Sequence, residues 1–260
     1  MTVHLLGTGA AVSDPGRTTT MLAFEEHDAF FLVDCGGDAV QRLMHAGFDP
    51  ADVGAVVLTH QHPDHISGFP LLVEKLWLLG RREPIPIYGP PTTLALARDL
   101  FDLFNTTHWE GLPDREWHPV EMVPGAPVFD DGPFRVTSWP VNHPVPTIGL
   151  RVETDAGTIA YSCDTAPCQA VVDLARGADL LVHEGTGALA GVHSSPEEAA
   201  DTAAEAGVDR LVLVHIPVGA TDHDLVESHR RFPATEWGAE GACYPARPEA
   251  VSSARPATSV

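Results

Sequence analysis

The sequence predicts a layered α/β fold, and two observations lead to this prediction. Short apolar segments typical of strands alternate with segments of helical periodicity along most of the 260 residues. In addition, five strand ends carry a metal-type side chain, namely Asp34, His60, His143, Asp164 and His215. Ligand sites in layered α/β folds lie at the carboxyl ends of strands, so we expect these five side chains to meet at one edge of the molecule.

The first half of the chain contains five predicted strands and three predicted helices. The strands cover residues 3–6, 21–24, 30–33, 55–58 and 85–88, and the helices cover 38–46, 69–79 and 93–104. Asp38 is a suitable N-cap for the first helix, and Gly80 ends the second. Residues 105–127 are rich in Trp, Pro and Gly, which predicts a loop or lid.

The second half repeats this organisation. Predicted strands cover residues 134–141, 150–153, 158–161, 180–182 and 211–214, and a short helix covers 170–175. Ser195 begins a second helix, because Ser-Pro-Glu-Glu is a capping box with proline at the first helical position. Residues 246–260 are rich in Pro, Ala and Ser and predict a disordered tail, so the predicted domain covers residues 1–245.

Composition excludes several classes of function. The formal net charge is −21, which works against a general basic surface for nucleic acids but leaves room for a small or locally bound phosphate. No apolar stretch approaches the roughly 18 residues of a membrane span, and the first residues do not resemble a signal peptide. The four cysteines are scattered, which favours a reduced, cytoplasmic protein.

Residues 60–65, His-Gln-His-Pro-Asp-His, are the strongest functional signal. His60 and His62 are two residues apart at a strand end, so both imidazoles can approach one ion. Asp64 and His65 follow around the turn and can face a second ion. Imidazole and carboxylate suit Zn²⁺, and other first-row metals less selectively. The alternative is a polar loop with solvated histidines, but three histidines and an aspartate directly after an apolar strand favour metal.

This motif resembles the metallo-β-lactamase superfamily of dinuclear hydrolases. Further segments resemble ribonuclease Z: LGTGAA at 6–11, DCGG at 34–37, NHPVP at 142–146, SCDT at 162–165, HEGT at 183–186, HSS at 193–195 and VHI at 214–216. The resemblance spans roughly residues 3–245. It implies an αββα four-layer sandwich, in which two mixed β-sheets are flanked by helices, and the ribonuclease Z-like branch of that superfamily.

The resemblance also assigns a role to each metal-type residue. It implies two Zn²⁺ ions, with Mn²⁺ or Fe as alternatives. The implied ligands are His60, His62 and His143 for the first ion, Asp64, His65 and His215 for the second, and Asp164 as the bridge. Two cations at short distance need an anionic bridge, and together they lower the pKa of a shared water. Asp34 is expected to orient a ligating histidine rather than to bind metal itself.

Three residues are candidates for proton transfer. Asp64 is positioned to accept a proton from the attacking water, and His193 is the candidate general acid for the leaving oxygen. Glu184 is the candidate partner that orients His193. The alternatives are that Glu184 only satisfies backbone donors and that His193 is an ordinary loop histidine.

One departure from the ribonuclease Z pattern bears on the substrate. That family inserts its tRNA-binding arm between the third and fourth motifs, but here 20 residues separate His143 from Asp164 and predict a tight hairpin. We therefore expect a phosphodiesterase for a small or cyclic phosphodiester or an RNA 3′ end, with folded tRNA a poor substrate. The alternatives are hydrolysis of a lactone, thioester or sulfate ester, and a non-catalytic metal-binding module. The resemblance also implies a homodimer.

Overall fold

Two seven-stranded β-sheets form the centre of the computed structural model, which describes residues 1–248. The strands are β1 Thr2–Gly7, β2 Met21–Glu26, β3 Ala29–Val33, β4 Val56–Val57, β5 Ile85–Gly89, β6 Arg115–Pro119, β7 Ala126–Asp131, β8 Phe134–Pro140, β9 Ile148–Thr154, β10 Gly157–Tyr161, β11 Leu180–Glu184, β12 Leu211–Val214, β13 Thr235–Trp237 and β14 Cys243–Pro245. The first sheet has the order β14-β1-β2-β3-β4-β5-β6, and the second has the order β13-β12-β11-β10-β9-β8-β7.

Helices cover the outer faces of both sheets. They are α1 Ala39–His45, α2 Pro63–Ile66, α3 Phe69–Leu78, α4 Pro91–Asp102, α5 Gln169–Ala175, α6 Pro196–Ala206 and α7 Val226–Arg231, with 3₁₀ turns at Pro50–Asp52 and Asp222–Leu225. As predicted, α1 begins after the N-cap Asp38, and α6 begins with the complete capping box of Ser195.

Three hydrophobic layers hold these elements together. Strand β2 shows how, because its side chains alternate between two of the layers. Leu22 and Phe24 pack between the two sheets, whereas Met21 and Ala23 face α1 and α3. A third cluster packs the outer face of the second sheet against α5 and α6. The predicted αββα four-layer sandwich is therefore confirmed.

The segment predicted as a loop or lid, residues 105–127, is only partly irregular. Arg115–Pro119 forms β6 and pairs in parallel with β5, so the loop prediction is wrong there. As an edge strand it is largely exposed, and it lacks the apolar alternation that predicts strands. Trp109 stacks on Trp77 with ring centroids 4.8 Å apart, and Trp117 packs against Phe69. Both tryptophans therefore anchor this segment to the helical layer of the first sheet.

The packed part of the chain continues past residue 245. Ala246 is buried, and its N–H donates to the carbonyl of Met1. Arg247 pairs with Asp179. The remainder of the predicted tail, residues 249–260, lies outside the described residues. Within residues 1–248, no helix combines the length and the apolar character needed to cross a bilayer.

The topology brings the carboxyl ends of several strands to one edge. Strands β3 and β4 are parallel, as are β10, β11 and β12. The two sheets are joined at this edge, where the N–H of Ile148 donates to the carbonyl of Thr59 and the N–H of Ile216 donates to the carbonyl of Thr8. The strand ends that carry metal-type residues therefore converge from both sheets.

Candidate metal centre

Three imidazoles and one carboxylate form the first group of converging side chains. Nε2 of His60 and Nε2 of His143 each lie 3.1 Å from Nδ1 of His62. A carboxylate oxygen of Asp164 lies within 4.8 Å of the three imidazole ligand atoms. Nitrogen ligands of a tetrahedral zinc ion, each at about 2.1 Å, are about 3.4 Å apart, so this spacing fits one ion.

Contacts behind the rings turn these nitrogens toward one another. Nδ1–H of His60 donates to the hydroxyl of Thr59 at 3.1 Å, and that hydroxyl donates in turn to Oδ2 of Asp34 at 2.7 Å. Nδ1–H of His143 donates to the carbonyl of Val192 at 2.9 Å. Because Nδ1 carries the proton in both rings, Nε2 of each keeps a lone pair directed into the group.

A second group contains Asp64, His65 and His215. Oδ2 of Asp64 lies 3.6 Å from Nε2 of His65 and 3.3 Å from Nε2 of His215. Nδ1–H of His65 donates to Asp34 at 2.8 Å, and Nδ1–H of His215 donates to the hydroxyl of Thr186 at 2.6 Å. In both histidines Nδ1 makes the hydrogen bond behind the ring, so Nε2 is the nitrogen that faces a carboxylate, where a second ion would bind.

Asp164 lies between the two groups. Its Oδ2 is 3.3 Å from Nε2 of His215, 3.5 Å from Nε2 of His65 and 3.9 Å from Nε2 of His60. Within residues 1–248, Nε2 of His65 and Oδ1 of Asp164 are buried without a hydrogen-bond partner. Buried polar atoms are normally paired, so these two atoms indicate that cations complete the site.

The electrostatics of the cluster agree with this interpretation. Burial would raise the pKa of Asp164, but the nearby His215 and His65 hold it well below the usual range, so this carboxylate is ionised. Burial lowers the pKa of His60 and of His143, which keeps both rings neutral. Ionised carboxylate and neutral imidazole are the metal-binding forms. Burial alone would lower the pKa of His65, but the carboxylates of Asp164 and Asp34 raise it well above its usual range. The negative potential of these carboxylates at His65 therefore favours a positive charge there.

Three of these strand ends adopt a left-handed backbone. Asp34 has a φ of 61°, Cys163 of 56° and His215 of 53°. Such values are uncommon outside glycine, and they turn the chain sharply where each strand ends. Cys163 is the second residue of the SCDT segment and directly precedes Asp164. Its thiol donates to the hydroxyl of Thr59 at 3.0 Å and joins the network behind His60.

His193 and Glu184 form a pair beside both groups. Nδ1 of His193 lies 2.8 Å from Oε1 of Glu184, which is fully buried. Burial lowers the pKa of His193, but the hydrogen bond and charge of Glu184 outweigh it and raise that pKa. Glu184 also accepts N–H groups from Thr165 at 2.9 Å and Thr186 at 3.2 Å, so it both orients His193 and satisfies backbone donors.

The structure brings every residue predicted for the site to this one edge, and their roles as ligands, acid and base stay predictions. Sequence reasoning missed Thr59 and Thr186, whose hydroxyls hold His60 and His215. Their positions carried a weak signal, since Thr59 directly precedes the metal motif and Thr186 ends the HEGT segment. Their partners become evident only in the folded chain.

Comparisons with known proteins agree with the fold and the site. Residues 30–216 match the family described as the Beta-lactamase superfamily domain. The chain is 31% identical to a ribonuclease Z of Methanothermobacter thermautotrophicus, with 91% of this chain and 94% of that protein covered. It is 33% identical to a ribonuclease Z of Mycobacterium bovis, with 90% and 92% covered.

Solved structures show the same architecture. The metallo-β-lactamase fold protein YhfI from Bacillus subtilis matches with a TM-score of 0.79 and 25% identity, over 94% of this chain and 98% of that chain. The short form of human tRNase Z matches with a TM-score of 0.78 and 25% identity, over 95% and 100%.

The chain belongs to the metallo-β-lactamase superfamily, a class of metal-dependent hydrolases that the αββα fold and the two ligand groups also define. Within that superfamily, its place is in the ribonuclease Z-like branch. The superfamily and the branch are both confirmed as the motifs predicted them.

Proposed function

We propose that this metal-dependent phosphodiesterase of the ribonuclease Z type acts on a small or cyclic phosphodiester or an RNA 3′ end, and not on folded tRNA. The observation that carries the proposal is the pair of ligand groups that share Asp164, with His193 beside them. His193 lies close to both groups, since its ring centroid is 5.5 Å from that of His143 and 5.3 Å from that of His215.

The residues of the chain supply proton transfer on two sides of such a substrate. Bound divalent cations would polarise the phosphoryl oxygens and lower the pKa of a water. Burial would raise the pKa of Asp64, but its hydrogen bond with His215 lowers it, so Asp64 is ionised and can accept a proton. Glu184 raises the pKa of His193 and so favours the protonated ring, from which His193 can donate a proton to the leaving oxygen.

The turn between His143 and Asp164 supports a small substrate. Strands β9 and β10 pair directly, with Thr154 opposite Gly157, so only Asp155 and Ala156 form the turn where related enzymes carry a tRNA-binding arm. The alignment with the Methanothermobacter ribonuclease Z spans 294 positions, more than the 260 residues of this chain, so that protein contains insertions relative to this one. The net charge of −21 also opposes a long polyanion.

A panel of substrates tests the proposal against its rivals. The purified protein is assayed with bis(p-nitrophenyl) phosphate, a 2′,3′-cyclic nucleotide and a lactone. Hydrolysis of either phosphodiester is expected. Turnover of the lactone alone would mean that the enzyme hydrolyses another kind of ester, and thioesters and sulfate esters would then be tested next. The absence of turnover with all three substrates would support a non-catalytic metal-binding module. The hydrogen-bonded pair of the partly buried His193 and the buried Glu184 argues against that module, because metal binding alone does not need it.

Zinc is the proposed metal, because five imidazoles and two carboxylates make up the donor set, with Mn²⁺ or Fe as the alternatives. Inductively coupled plasma analysis of protein purified without added metal is expected to give two ions per chain. One ion or none in an active preparation would contradict the dinuclear site.

A homodimer in a reducing, cytoplasmic compartment completes the proposal. Met44, Leu78 and Leu79 expose apolar side chains around a groove between α1 and α3, which a second copy of the chain would cover. The four cysteines are free thiols, as expected in a reducing compartment. Light scattering of the wild type and of Leu78→Glu tests the dimer, since the substitution should shift the mass toward the monomer.

A further inference from the structure

A cavity of about 410 Å³ lies beside the metal centre and has no part in the chemistry described above. Its walls are residues 185–187, the first turn of α6 at 195–197, and residues 217–220, with Asp224 and Trp237 completing the lining. The volume falls in the range of small-molecule pockets, roughly 300–1,000 Å³. We call this cavity the Trp237 pocket.

The Trp237 pocket adjoins the side of the centre that holds the candidate acid. Thr186 lines the pocket, and its hydroxyl accepts the Nδ1–H of His215 at 2.6 Å. Ser195, which also lines the pocket, follows His193 by two residues. A substituent on the leaving oxygen of a phosphodiester would therefore extend toward this cavity.

The charges around the pocket restrict what can enter it. Glu197 and Asp224 both line it, and none of the described residues in its lining is Lys, Arg or His. The backbone N–H and hydroxyl of Thr221 donate to Asp224 and lower its pKa, so this carboxylate is ionised. Two carboxylates without a cation repel a phosphate group, whereas they accept hydrogen bonds from amino and hydroxyl groups.

Trp237 gives the pocket a fixed aromatic wall. Its indole N–H donates to the carbonyl of Thr221 at 3.0 Å. A Cβ on Gly185 would lie only 3.0 Å from Cζ3 of the ring, so the loop after β11 packs closely on the indole. Aromatic side chains of this kind stack with nucleobases of any sequence.

We propose that the Trp237 pocket is a subsite for the uncharged nucleoside of a phosphodiester substrate, and that Glu197 and Asp224 select against substrates carrying a further phosphate there. The inference deepens the proposed phosphodiesterase function and rests on it. Glu197 is the specificity-determining residue to test, because it is half-buried in the pocket wall and takes part in none of the contacts of the metal centre.

The test compares the dinucleoside monophosphate ApA with the same compound carrying one terminal phosphate, at the 5′ end or at the 3′ end. For the wild type, kcat/KM should be about tenfold lower for the form whose extra phosphate falls at the pocket, as expected for like charges separated by several ångströms. Glu197→Gln should bring this ratio closer to one. Glu205→Gln removes an exposed charge from the last turn of the same helix and should leave the ratio unchanged.

Bis(p-nitrophenyl) phosphate separates the two ways in which the proposal can fail. If the wild type hydrolyses it but does not discriminate against either terminal phosphate, or if Glu197→Gln leaves the discrimination unchanged, the subsite is wrong and the phosphodiesterase stands. If the wild type hydrolyses no phosphodiester, the proposed function is wrong, and the subsite is wrong with it.

Discussion

Oδ2 of Asp34 accepts a hydrogen bond from Nδ1 of His65 at 2.8 Å, and the same oxygen accepts the hydroxyl of Thr59 at 2.7 Å. Thr59 in turn accepts the Nδ1–H of His60. One buried carboxylate therefore orients a histidine in each of the two ligand groups. Its effect on both ions should be real but indirect, because no atom of Asp34 belongs to either group.

Substitution of the two buried aspartates should separate a bridge from an orienting residue. Asp164→Ala is expected to abolish activity and release both ions, because it removes the carboxylate between the groups. Asp34→Ala should weaken metal binding by about 10–100-fold, the usual effect of an orienting partner. Chelator competition followed by elemental analysis measures both, with Asp99→Ala on the exposed face of α4 as the control. Equal losses in the two variants would contradict the assigned roles.

The importance of His193 should depend on the leaving group. General acid catalysis contributes about 10²–10⁴-fold, and it contributes little when the leaving oxygen needs no proton. His193→Ala should therefore lose much more kcat/KM on an alkyl phosphodiester than on a p-nitrophenyl one, with metal content unchanged. Equal losses on both substrates, or loss of the ions, would mean that His193 binds or supports the site instead.

Glu184 should set the pH range of that proton transfer. His193 can donate only while protonated, so activity on an alkyl substrate falls as the pH rises through the pKa of His193. Because Glu184 raises that pKa, Glu184→Gln should move the alkaline limb of the kcat/KM profile to lower pH. Profiles of the wild type and of Glu205→Gln should coincide. A limb that stays in place in Glu184→Gln would show that another group limits the rate.

Cys163 offers a test of backbone strain at the bridging segment. At its φ of 56°, glycine is free of the Cβ clash that alanine keeps, so Cys163→Gly should be more stable than Cys163→Ala by about 1 kcal/mol in denaturant unfolding. Cys35 provides the matched pair, because it is equally buried and does not have a positive φ. There the ordinary order should hold, with alanine more stable than glycine. The same order at both positions would argue against strain at Cys163.

A 3′-extended tRNA precursor should be a poor substrate. The two-residue turn between β9 and β10 leaves no arm to grip folded tRNA, and the acidic surface repels it. We expect cleavage far slower than hydrolysis of a small phosphodiester, measured at physiological salt because low salt exaggerates surface charge. Efficient cleavage of the precursor would restore a full ribonuclease Z activity.

The strands that sequence analysis found and those that it missed differ in their position. The ten inner strands of the two sheets were all predicted, because each places buried apolar residues on at least one face, either as a continuous run or in alternation. The four that were missed, β6, β7, β13 and β14, are the edge strands of the sheets. An edge strand is paired on one side only and is often exposed, so its own sequence carries little of the pattern that defines a strand.

The sequence by itself determined the family, the αββα fold and the set of metal-type residues. All three can be inferred from local motifs, in which a short apolar strand is followed directly by a histidine or an aspartate. The tertiary structure decided which nitrogen of each histidine faces the centre, since that depends on partners distant in sequence. Asp34 reaches His65 across 31 positions, and Thr186 reaches His215 across 29. The tertiary structure also decided where the Trp237 pocket lies, because the walls of this pocket come from separate segments that meet only when the sheet and α6 pack together.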